Sequence, residues 1–107
     1  MLGLLSEPLS EELVRSRLRA VIDPELGVNI VDLGLVYGIE LEERGTVAIE
    51  MTLTTPGCPL GGFLDDQIRA ALAVLPQVRD VRLELVWEPP WQPEAMSDAA
   101  REQLGWR

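Results

Sequence analysis

The chain has 107 residues, 18 acidic and 9 basic, for a net charge of −9, and 47% of its residues are hydrophobic. That length fits a single domain spanning residues 1–107, and the composition excludes intrinsic disorder and a membrane span, which needs ~18 consecutive apolar residues. The acidic excess repels phosphate backbones and argues against nucleic acid as a partner.

In chain order, SEELVRSRLRAVI (residues 10–22) reads as a helix. Ser10 is its expected N-cap, Glu11 and Glu12 favour the first turn, and Leu13, Val14, Leu18, Val21 and Ile22 form its apolar face. Asp23-Pro24 ends it, because the residue before proline avoids the α region. LVYGIELE (35–42) and TVAIEMTLT (46–54) alternate apolar and polar residues around the Gly-containing link Glu43-Arg44-Gly45, which predicts a β-hairpin. Each strand has one apolar face, so the sheet is expected to be covered on one side only. The Gly/Pro-rich stretch TPGCPLGG then leads into a helix over residues 59–75, with Leu60, Leu64, Ile68, Ala71, Leu72 and Leu75 inward. Pro59 suits the first helical position and places Cys58 at the N-cap. Residues 78–88 read as a third strand with Val81, Leu83, Leu85 and Trp87 on one face. WEPPWQP is rigid and extended, and a short helix over 97–104 starts at Ser97 and stops at Gly105. The order α-β-β-α-β-α predicts a two-layer α+β domain, with helices on one face of a small mixed sheet.

The chemical inventory is narrow. All nine basic residues are arginine, and there is no lysine or histidine. Schiff-base chemistry has no side-chain amine, and the commonest general base and neutral metal ligand are missing. The one cysteine, Cys58, excludes an internal disulfide and a Cys-pair zinc site. No catalytic motif is recognised, so an enzyme is not expected.

Cys58 at a helix N-terminus would have its thiolate stabilised by free N–H groups, whereas a buried Cys58 would be packing. Asp23 and Glu25 flank Pro24 and could bind a cation or serve as acid and base; a helix-ending turn with solvated carboxylates is the simpler reading. Thr52 and Thr54 share the polar face of the second strand, where a hydroxyl could reach a ligand or simply fit a strand surface. Trp87, Pro89, Pro90 and Trp91 offer either a partner-binding surface or a clamp for the C-terminal segment. Asp32 is a candidate Asx-type cap within NIVDLGL.

Three segments, DPELGVNIVDLGLVYGI (23–39), MTLTTPGCPLG (51–61) and VWEPPWQPEAMSDAAREQLG (86–105), resemble the SufT/PaaD-type family in that order. This is a domain-of-unknown-function family related to the eukaryotic cytosolic iron–sulfur assembly factor of the MIP type. The resemblance implies an iron–sulfur-assembly-type α+β domain and a role as an accessory factor in maturation of iron–sulfur proteins. It implies a functional cluster of Asp23, Glu25, Thr54, Thr55 and Cys58, with Cys58 as a transient metal ligand. Its partners would be assembly proteins or apoprotein clients. The PaaD-type branch, tied to phenylacetate degradation, carries further cysteines after the segment matching WEPPW, which this chain lacks. A PaaD-like subunit is therefore the alternative reading, together with a Cys-dependent enzyme. Clusters are held mainly by four thiolates, so one Cys per chain predicts no stably bound cofactor and at most a transient iron–sulfur cluster. A homodimer would offer two thiolates. The start MLGLLSEP has neither a basic region nor a long apolar run, so no signal peptide and a cytoplasmic location are expected.

Overall fold

The computed structural model describes residues 8–54 and 60–105. Helix α1 is Glu11–Leu18, followed by a two-residue ladder of β1 (Ile22–Asp23) and β2 (Val28–Asn29). The main sheet comprises β3 (Val36–Leu41), β4 (Thr46–Met51) and β5 (Asp80–Leu85), with α2 (Leu60–Ala73) between β4 and β5 and α3 (Asp98–Leu104) last. β4 is central, antiparallel to β3 and parallel to β5. This is the expected mixed α+β arrangement, with the β1–β2 ladder added.

Local chemistry accounts for the element ends. The Ser10 hydroxyl accepts from Leu13 N at 3.1 Å, and that of Ser97 accepts from Ala100 N at 3.1 Å, each satisfying an otherwise free helix donor. Gly105 closes α3 in the left-handed region. The hairpin turn places Arg44 and Gly45 at positive φ, which matches the right-handed twist of its strands. A side chain at Gly45 would strike the Gln77 carbonyl, and Gly45 O accepts from Arg79 N at 2.8 Å, so the turn is fitted against the approach to β5.

Two expectations need correction. The first helix was expected to reach Ile22 but stops at Leu18. Arg19, Ala20 and Val21 tighten into i→i+3 bonds, and Ile22 is drawn into β1 and left 45% exposed. The third strand was expected to run over residues 78–88 with Leu85 and Trp87 on the same face as Val81 and Leu83. It ends at Leu85, opposite Met51, and the Leu85 and Trp87 side chains are exposed because the chain leaves the sheet there.

Val14 and Leu18 of α1, Ile49 and Met51 of β4, and Leu64, Ile68 and Leu72 of α2 meet in one buried core. Each such aliphatic side chain contributes about 1.5–3 kcal/mol. The opposite sheet face alternates out of that core. Two cross-strand rows lie on it, Glu40–Ala48–Arg82 and Gly38–Glu50–Glu84.

Candidate functional site

The DPE segment forms a tight turn between β1 and β2. The Asp23 Oδ1 accepts from Glu25 N at 2.8 Å and Leu26 N at 3.3 Å, while its carbonyl accepts from Gly27 N at 2.7 Å. Pro24, which has no N–H to satisfy, sits inside this turn. Asp23 is only 2% exposed, whereas Glu25 faces solvent. The two carboxylates flanking Pro24 therefore differ: one organises the backbone and the other is exposed.

The following loop is held from both sides. Asn29 Oδ1 accepts from Asp32 N at 2.9 Å, and Asn29 Nδ2 donates to Asp32 Oδ2 at 2.8 Å. The capping side chain is thus Asn29 rather than Asp32, which instead accepts from Asn29 and lends its carbonyl to Ser97 N at 2.8 Å. Gly34 has φ +80°, and a Cβ there would collide with the carbonyl oxygen of Ala95. The C-terminal segment lies directly on this loop.

Trp91 belongs to that clamp. Its indole N–H donates to Leu33 O at 2.7 Å, and its ring packs half-buried against the core. Pro89 and Pro90 are exposed, and the Pro89 carbonyl accepts from the Tyr37 hydroxyl at 2.7 Å. Burial raises the Tyr37 phenol above its ordinary value, because the phenolate would lose hydration.

Beyond β4 the chain runs between these two segments. Thr52 N donates to Leu35 O at 2.9 Å, and Met51 O accepts from Val86 N at 2.8 Å. Thr52 is consequently 1% exposed and not on an open polar face, and its hydroxyl has no hydrogen-bond partner among the described residues. Such a group costs about 1–3 kcal/mol when left unpaired. Thr54 is half-buried. Cys58 and Thr55, with the expected N-cap and Pro59 at N1, lie outside the described residues. The sequence showed Thr52 only as a strand threonine; its enclosure depends on the 30–35 and 86–91 segments, which are distant in sequence.

Backbone bonds connect the Asp23 turn to the end of β4. Ile30 N donates to Val21 O, Leu35 N to Ile30 O, and Thr52 N to Leu35 O. Among the described residues no three carboxylates converge to hold a metal ion.

A family model described as iron–sulfur cluster assembly protein matches residues 11–85. The Fe-S protein maturation auxiliary factor YitW of Bacillus subtilis is 46% identical over 101 residues, covering 94% of this chain and 98% of that one. The Fe-S protein maturation auxiliary factor SufT of Staphylococcus aureus is 46% identical over 85 residues, covering 79% and 97%. The crystal structure of a domain of unknown function from Bacillus anthracis superposes with a TM-score of 0.85 at 43% identity, covering 91% of this chain and 92% of that one.

Proposed function

The chain belongs to the iron–sulfur cluster assembly protein family, and from that premise we propose that it is a non-enzymatic accessory factor in the maturation of iron–sulfur proteins. It assists delivery of a cluster, or of the carrier holding one, to apoproteins in the cytoplasm. The observation that carries the reading is the end of β4. There a buried Thr52 hydroxyl, without a partner among the described residues, precedes the sequence stretch containing the chain's one thiol.

Cys58 supplies the labile thiolate ligand or the attachment point for a partner. Thr54 and Thr55 orient the segment that carries it. Glu25 presents a solvated carboxylate, and Asp23 holds the turn from which Glu25 projects. A cluster needs about four thiolates, so one thiol per chain suits transient handling shared with a donor or client. No helix among the described residues is long and apolar enough to cross a membrane.

The test is anaerobic transfer of a [4Fe–4S] cluster from a loaded donor to an apo-dehydratase, read as recovered dehydratase activity. The protein is expected to accelerate recovery, and Cys58→Ala to abolish the acceleration. Equal acceleration by Cys58→Ala would remove the thiol from the mechanism. The alkylation rate of Cys58 against pH gives a second readout. A thiol pKa below the unperturbed ~8.5 is expected for a thiolate ready to bind.

A further inference from the structure

The sheet face turned away from the helices has chemistry of its own. Its floor is made of the small residues Gly38 and Ala48, and a groove of about 210 Å³ opens above them, lined also by Glu40, Glu50 and Glu84. The nearby Arg82 is occupied: its Nη1 and Nη2 donate to the two carboxylate oxygens of Glu42 at 2.9 and 2.7 Å. The hydrogen bonds to Glu42, then its charge and those of Glu84 and Glu40, raise the guanidinium above its ordinary value. Glu40, Glu50 and Glu84 are exposed and form no ion pair among the described residues. Glu50 and Glu84 stand directly opposite each other on parallel strands, where like charges work against pairing.

We infer that this sheet face, uncovered among the described residues, docks a basic segment of a partner protein, whose Arg or Lys side chains are received by Glu40, Glu50 and Glu84. The charge pattern selects the occupant. Phosphate-bearing ligands are repelled. A single metal ion is a poor fit, because no three carboxylates among the described residues converge on one point. Neighbouring strands are about 4.8 Å apart, and successive residues on one face are ~6.7 Å apart. That spread suits several cationic side chains along one segment. The small floor residues let their stems lie close to the sheet. The inference does not depend on Cys58, so it stands or falls separately from the transfer role.

The probe is a fluorescein-labelled peptide of alternating Arg and Thr, titrated by anisotropy at low ionic strength and followed by amide shifts in the labelled protein. Glu40→Gln/Glu50→Gln/Glu84→Gln is expected to weaken binding about tenfold, as the loss of three exposed pairs. The charge-matched control Glu12→Gln/Glu94→Gln/Glu102→Gln is expected to change it less than about twofold, because its charges lie off this face. Shifts should centre on Gly38, Ala48 and Glu84, and Cys58→Ala should bind as the wild type does. Equal weakening by both triple variants would show bulk charge alone and overturn the inference, as would shifts centred elsewhere. Stoichiometric Mn²⁺ binding abolished by the first variant would make the face a metal site. A concentration-dependent dimer broken by that variant would make it a self-interface. Either result overturns the inference.

Discussion

Replacing Asp23 separates its backbone role from any role of its charge. In Asp23→Ala the two N–H groups of Glu25 and Leu26 lose their acceptor. The 2.8 Å bond is a good charge-assisted one, while that at 3.3 Å is weak. A hydrogen bond to a charged group contributes about 1.5–3 kcal/mol and a weak one about 0.5 kcal/mol; partial access of water to this turn discounts the sum to about 1.5–3 kcal/mol. Asp23→Asn keeps an oxygen in place of Oδ1 and should lose less than about 1 kcal/mol. Urea unfolding followed by far-ultraviolet circular dichroism measures both, with the midpoint shifting at constant slope. If Asp23→Asn is as destabilising as Asp23→Ala, the carboxylate charge rather than the turn bonds dominates, and the reasoning fails. If Asp23→Asn is stable but slow in cluster transfer, Asp23 acts through its charge as well.

Gly34→Ala should cost about 2–4 kcal/mol, from positive φ and the collision with Ala95, whereas Gly62→Ala on the exposed face of α2 should stabilise by about 0.5–1 kcal/mol. Thermal unfolding of the pair checks both, and similar melting temperatures would refute the contrast. Thr52→Val removes a buried hydroxyl that has no partner among the described residues, at nearly constant volume, and should stabilise by about 1–2 kcal/mol, measured by urea unfolding; if the hydroxyl serves the site, transfer falls as stability rises. Trp91→Phe deletes the indole donor to Leu33 O and should cost about 1 kcal/mol or more, seen as a lower urea midpoint.

Much of the architecture was legible in the sequence because it rests on local rules. Ser10 and Ser97 cap as expected, since a hydroxyl three residues before a free N–H needs no tertiary help. The period-2 and helical patterns placed Val47, Ile49 and Met51, and Leu64, Ile68 and Leu72, on the faces they bury. The same alternation put Glu40, Glu50 and Glu84 on the sheet face that is uncovered among the described residues.

The candidate site was only partly legible. Sequence singled out Asp23, Glu25, Thr54, Thr55 and Cys58 through their chemistry and through resemblance to a family. It could not distribute roles between Asp23 and Glu25, because burial of one carboxylate depends on how the turn folds back on β1. Nor could it enclose Thr52, assign the cap to Asn29, or tie Trp91 to Leu33. Each is decided by contacts between segments far apart in the chain. Composition and periodicity determined the class, the helices and the strand faces, because propensity and amphipathicity act over a few residues. Only the tertiary structure decided which polar groups are buried, bonded or left unpaired, because those states exist only once distant segments meet.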